Sequence, residues 1–184
     1  MESDRDYVKV TEAKLSVEDV VQRVSDGSAG GIATFIGTTR DNFEGKKVVK
    51  LEYEAYVPMA EKQMVRIAEQ LRGRWREVAK VGMVHRIGTV PVGEASVIVA
   101  VSSTHRQDCL EAVHWAIDEL KATVPIWKKE YYEGGESSIW KENKECFFHS
   151  HNQPQQPPSL QPHQQHHRHH HPPEEHREVE ITST

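Results

Sequence analysis

The stretch Ser102–Glu130, SSTHRQDCLEAVHWAIDELKATVPIWKKE, decides the reading of this chain. It opens at the end of an apolar strand, becomes an amphipathic helix, and stops at Pro125 in a run rich in lysine. Thr104-His105-Arg106-Gln107 has the form of a capping box, which predicts Thr104 as N-cap and His105 and Arg106 as the first helical residues. Leu110, Val113, Ile117, Leu120 and Val124 recur as one apolar stripe, and at ~100° per residue Lys121 falls at its border. Beyond Pro125, alternation points Ile126 and Lys128 one way and Trp127 and Lys129 the other. One element thus carries cationic residues at both ends, a pattern suited to a polar ligand.

Working outward, Tyr7–Val10 reads as a short strand. Ser16 follows as N-cap of a helix whose apolar side is Val17, Val20, Val21 and Val24. Gly30–Gly37 reads as a buried strand, and Asn42–Gly45 has the composition of a mobile turn. Val48–Tyr56 alternates, with Val49, Leu51, Tyr53 and Ala55 predicted on one covered face. Pro58 suits the first turn of a helix that runs to about Arg74. Lys80–Arg86 and Ala95–Ser103 are Val-rich strands, and the linker 87–94 reads as a turn. Extended pieces at 126–131 and 137–140, around Gly134-Gly135, end the foldable part. The order β-α-β-β-α-β-β-α-β-β, with successive strands close in sequence, predicts an α+β sandwich rather than a doubly wound parallel sheet.

The 184 residues suffice for one domain with a real core. Residues 1–146 read as that domain, and 147–184 as a disordered Gln/Pro/His-rich tail that holds nine of the twelve histidines. The tail's His166-His167 and His169-His170-His171 offer an adventitious metal reading, but nothing in the folded part predicts a metal or cofactor site. A net charge of −5 argues against a nucleic-acid coat while leaving room for local anion sites. Cys109 and Cys146 show no metal or disulfide spacing. No apolar leader and no membrane-length run are visible, so the expectation is a reduced, cytosolic protein.

Three places bear on chemistry. His105 and Arg106 lie where free backbone N–H groups and the helix dipole favour an anion, and an Arg fork matches phosphate oxygens; a surface Arg with a satisfied His fits the same spacing. Lys121 and Lys128, if drawn together, would depress each other's pKa and make one a proton acceptor; a border Lys also commonly snorkels into water. Arg40 follows Gly37-Thr38-Thr39, a small-residue run open to a ligand, and reads equally as a loop Arg in solvent. No nucleophile accompanies them: Cys109 is expected to be packed, and there is no Ser-His-Asp order, P-loop or GxGxxG. A non-catalytic module binding a phosphorylated metabolite, or a metal-handling protein acting through the tail, stays open on spacing alone.

With these residues in view the chain resembles the large, catalytic subunits of molybdopterin synthase. The resemblance is carried by GGIATFIGTTRD (Gly30–Asp41), LEYEAY (Leu51–Tyr56), HRIGTVPVGEASV (His85–Val97), SSTHR (Ser102–Arg106) and LKATVPIWKKE (Leu120–Glu130). It implies an α/β hammerhead-like sandwich with an added antiparallel β subdomain, and a large-subunit dimer within a heterotetramer. The implied partner is a small ubiquitin-like subunit with a thiocarboxylated C-terminal Gly-Gly, and the implied substrate is cyclic pyranopterin monophosphate. By the same resemblance Lys121 and Lys128 are catalytic. His105, Arg106 and Arg40 bind the pterin phosphate, with Thr38, Thr39, Lys129 and Glu130 as neighbouring substrate contacts.

Overall fold

A computed structural model describes residues 5–142. The predicted tail, with its histidines, and Cys146 lie outside the described residues. Among the described residues three helices and two sheets make an α+β architecture. In chain order the elements are β1 (Asp6–Thr11), α1 (Val17–Val24), β2 (Gly31–Thr38), β3 (Asn42–Phe43), β4 (Lys46–Ala55), α2 (Val57–Arg74), β5 (Val78–Arg86), β6 (Gly88–Pro91), β7 (Ala95–Ser103), α3 (Arg106–Thr123), β8 (Ile126–Tyr132) and β9 (Lys141–Glu142).

The first sheet has the order β1-β5-β7-β2, with β1 parallel to β5 and the other pairs antiparallel. Its central strand β7 is buried on both faces, which its unbroken apolar run requires. Val97, Val99 and Val101 face a core shared with α2 and α3, whereas Ile98 and Ala100 face α1. The sheet is therefore covered by α1 on one side and by α2 and α3 on the other. Gly82 of β5 lets α1 approach: a Cβ there would lie 2.9 Å from a methyl carbon of each of Val20 and Val24. Ser16 caps α1 as expected, its hydroxyl accepting from the Asp19 N–H.

The second sheet is antiparallel and built around the long strand β4, which pairs with β8 along one edge and with β3 and β6 along the other. Tyr53, Val90 and Ile126 join it to the same core as α2 and α3. The linker 87–94 is thus not only a turn, because four of its residues pair with β4. The turn read at 42–45 is a tight hairpin, with Glu44 at φ 51° and Gly45 at φ 79° and the Asn42 side chain accepting from the Gly45 N–H.

Four expectations shift for identifiable reasons. A β-bulge between Val48 and Lys50 breaks the alternation of β4, so Val48 is buried and Val49 is 52% exposed. On α3 the buried stripe is Cys109, Ala112, Val113, Ala116, Ile117 and Leu120, and Leu110 is exposed. The small residues let the helix lie close to the sheet, which rotates the stripe away from Leu110. The capping box does not form, because the Thr104 hydroxyl donates to Glu77 and Gln107 to Glu111, leaving His105 as N-cap and Arg106 as first helical residue. The last strand is Lys141–Glu142 rather than 137–140, where Ser137 makes only a single bridge to Tyr131.

Candidate active site

An open cleft of about 610 Å³ lies where the C-terminal ends of β2 and α3 meet the second sheet. Its charged lining is Arg40, Lys121, Lys128 and Glu130, and its floor is Phe43, Val48, Leu51, Tyr53 and Val97. Each cation arrives on a different element. Lys121 sits in the last turn of α3, half-buried, with its ammonium 5.9 Å from the centre of the Phe35 ring. Lys128 is the third residue of β8, on the face it shares with buried Ile126 and Glu130. The alternation read from the sequence therefore holds, and it brings Lys128 to the cleft that Lys121 lines.

Arg40 is aimed by a second bulge. The β2–β7 register slips between Gly37 and Thr38, where Ser96 is the extra residue and its hydroxyl donates to the Gly37 carbonyl. Gly37 has no room for a side chain, since a Cβ would lie 2.7 Å from Val97. Thr39 then locks the exit of the strand. It is buried, its N–H donates to the Glu94 carbonyl, its carbonyl accepts from the Gly93 N–H, and its hydroxyl donates to Val90. Thr38 lines the cleft, whereas Thr39 holds the chain that presents Arg40.

Three more of the expected residues lie elsewhere. Lys129 points to the other face of β8, over the rings of Tyr131 and Trp140 at 5.3 and 6.0 Å. His105 and Arg106 are exposed at the N-terminal end of α3, beside Gly31 at the far end of β2. Fifteen residues of helix separate Arg106 from Lys121, about 22 Å at ~1.5 Å per residue. One chain therefore does not bring the two ends of α3 into one site.

Among the described residues no cysteine lines the cleft. Cys109 is buried with its thiol donating to the Gly31 carbonyl, and burial pushes its pKa up, so it stays a thiol. Behind Tyr53 lies His85, wholly buried, with ring centroids 5.1 Å apart in an edge-on arrangement. Burial lowers the His85 pKa to about 4, so the ring is neutral, and its Nδ1–H donates to the Arg86 carbonyl at 2.8 Å. Among the described residues no group of three or more His, Cys, Asp or Glu side chains is placed to hold a metal ion. No described helix is long and apolar enough to cross a membrane.

The apolar floor was partly legible, since Leu51 and Tyr53 lie on the predicted covered face of β4. Nothing in spacing pointed to Phe43, Ser96 or Val97, which reach the cleft through a hairpin and a bulge.

Residues 10–123 match the model of the family described as MoaE protein. A molybdopterin synthase catalytic subunit from Culex quinquefasciatus is 59% identical over 141 residues, which is 76% of this chain and 90% of that one. The crystal structure of molybdopterin synthase from Staphylococcus aureus superposes with a TM-score of 0.70 at 34% identity, covering 77% of this chain and 98% of that one. A protein–protein complex of subunits 1 and 2 of the molybdopterin-converting factor from Helicobacter pylori shares the fold, with a TM-score of 0.60 at 18% identity over 74% of this chain and 91% of that one. A match of this extent, over the segments that build both sheets and the cleft, places the chain in the MoaE family, that of the molybdopterin synthase catalytic subunits.

Proposed function

We propose that residues 1–146 act as the large subunit of a cytosolic molybdopterin synthase. In this reading the enzyme moves two sulfurs from the thiocarboxylated C-terminus of a small ubiquitin-like subunit onto cyclic pyranopterin monophosphate, forming the dithiolene of molybdopterin. The observation that carries it is the convergence of Arg40, Lys121 and Lys128, from three separate elements, in a cleft with no cysteine among the described residues of its lining. Such a cleft is equipped to hold anions and move protons, and it must receive its nucleophile from outside.

The chemistry follows from these groups. The two lysine ammoniums pair with the incoming thiocarboxylate, whose sulfur attacks a carbon of the pterin side chain. A C–S bond forms as a C–O bond at that carbon breaks, the oxygen leaving with the opening phosphate ester at one carbon and as water at the other. An acyl thioester then joins partner and substrate. Water then cleaves the acyl–sulfur bond, so the partner leaves as a carboxylate and the sulfur stays on the pterin. A second thiocarboxylated partner repeats the step, and the cyclic phosphate ester opens as the dithiolene forms. Lys121 also borders a second cleft, of about 410 Å³, formed by 122–127 and Glu142, which gives an extended C-terminal tail its own approach to the lysines.

Arg40 is the phosphate ligand within the chain. His105 and Arg106 stand at an N-terminus whose N-cap side chain makes no capping hydrogen bond, a second anion-binding end. At about 22 Å from Lys121, they complete a phosphate site only for a cleft on a neighbouring copy. A large-subunit dimer inside a heterotetramer meets that requirement.

The direct test is Lys121→Ala, assayed with purified thiocarboxylated small subunit and the cyclic pterin, with the product followed by mass spectrometry. A fall of about a hundredfold or more is expected for a lost proton-transfer group. Near-normal product would remove Lys121 from the mechanism, and binding without conversion by the unmodified chain would leave only a binding module.

A further inference from the structure

Among the described residues Glu130 is the one carboxylate in the charged lining of the cleft, and it is 3% exposed. A buried carboxylate needs compensation, and the chain supplies it from the last residue of β8 and the segment that follows. Gly134 and Gly135, at φ 91° and 87°, turn that segment back on itself. Ser138 then pins the Glu130 main chain in both directions: its hydroxyl accepts from the Glu130 N–H, and its own N–H donates to the Glu130 carbonyl, each at 2.8 Å. Two further groups hold the side chain. The Tyr132 hydroxyl donates to Oε2 at 2.6 Å, and the Lys141 ammonium donates to the same oxygen at 3.4 Å.

The placement of Lys141 carries a cost. It pairs directly with Lys128 across β8 and β9, and opposed like charges destabilise a two-residue strand. Glu130, two residues along on the same face, offsets that repulsion. Lys141 also lies 5.3 Å from the centre of the Phe43 ring, so it ties β9 to two lining residues at once. Both side-chain ties end on Oε2, which leaves Oε1 for a ligand in the cleft. The hydrogen bond to Glu130 pushes the Tyr132 pKa up to about 12, so the phenol remains a donor throughout the working range.

We propose that Tyr132 and Lys141 are positioning residues that fix the Glu130 carboxylate so that Oε1 accepts a hydrogen bond from a ring N–H of the pterin. The cleft then selects its substrate at two points, with cations for the phosphate and one oriented acceptor for the donor-bearing edge of the ring. The inference rests on the function proposed above.

Its test is steady-state kinetics of the reconstituted enzyme, with thermal melting to confirm folding and equilibrium binding of the cyclic pterin measured in parallel. Tyr132→Phe and Lys141→Met should each raise KM and Kd for the pterin about tenfold, as expected for loosening one hydrogen bond to a charged acceptor, with kcat within about twofold of the parent. Lys141→Arg, which keeps the charge and a donor, should restore most of the affinity. Unchanged KM and Kd in folded variants would overturn the proposal, as would a loss confined to kcat or a Lys141→Arg variant no better than Lys141→Met. If the unmodified chain binds the pterin but does not sulfurate it, the proposed function falls, and the Kd ratios still decide the role of Tyr132 and Lys141.

Discussion

Mixing two inactive variants gives a quantitative test of where the phosphate site is completed. Lys121→Ala removes one end of α3 from the chemistry and Arg106→Ala the other, across about 22 Å of helix. Each homodimer should fall about a hundredfold, the scale for losing an oriented charge-stabilising donor. If a cleft uses Lys121 from one copy and Arg106 from its neighbour, a Lys121→Ala/Arg106→Ala heterodimer contains one cleft with both substitutions and one with neither. Random pairing makes about half of the dimers mixed, and half of the clefts in those are intact, so the mixture should recover about one quarter of the parent activity per protomer. Co-expression with two affinity tags, followed by tandem purification, isolates the mixed species, whose activity should then be about one half. The assay is molybdopterin formed from thiocarboxylated small subunit and cyclic pterin. Activity in the isolated mixed dimer no higher than the mean of the two variant homodimers would show that each cleft is served by its own Arg106 or by none, and would refute the argument from helix length.

Two predictions concern the frame that holds the cleft. Gly82→Ala should cost about 1–3 kcal/mol, because the new methyl meets two stiff β-branched side chains at 2.9 Å and α1 must lift to relieve it; a urea midpoint unchanged from the parent would contradict this packing. His85 contributes a pH dependence whose sign follows from its neutral burial. Its folded pKa of about 4 lies below the ordinary 6.5, so only the unfolded chain gains the proton between those values. Stability should be full above 6.5 and fall by about 1.4 kcal/mol per pH unit as the pH drops through that window. Urea unfolding at several pH values should show this slope and its loss in His85→Leu; equal slopes in the two proteins would assign the effect to other groups.

Legibility in the sequence tracked how local the determining physics was. Strand β5 could be read because it is rich in Val, and β7 because its run of Val, Ile and Ala has to be buried on both faces. The pairing of Lys128 with Ile126 on one face needed only the two-residue period of a strand. Val49 failed because a bulge is a property of the pairing between β4 and β8, and neither strand records it alone. Leu110 failed because the face of α3 that packs is chosen by how closely Ala112 and Ala116 let the helix approach the sheet, which outweighs the larger but more distant leucine. The capping box failed for a similar reason, since Glu77, far away in sequence, takes the Thr104 hydroxyl that the local pattern assigned to the helix. Lys141 gave no signal at all, because its role depends on a glycine turn that returns it to Glu130.

The position of α3 explains why these residues occur together in one stretch of sequence yet do not meet in one site. The helix runs alongside β2, with Arg106 near Gly31 and Lys121 in the cleft lined by Gly37 and Thr38, so its two ends sit at the two ends of that strand. Cys109, Ala112, Val113, Ala116 and Leu120 bury the face between them, and α3 contacts β2 and β7 along their length. A rigid, closely packed helix of this kind cannot bring one end toward a ligand held at the other. It can instead set the spacing between a lysine in its own cleft and the helix end that, in the proposed assembly, binds an anion for a neighbour. A bulky substitution at Ala112 or Ala116 would lift the helix off the sheet and displace both ends at once, so damage in the middle of α3 would reach two clefts of an assembly without touching the chemistry of either.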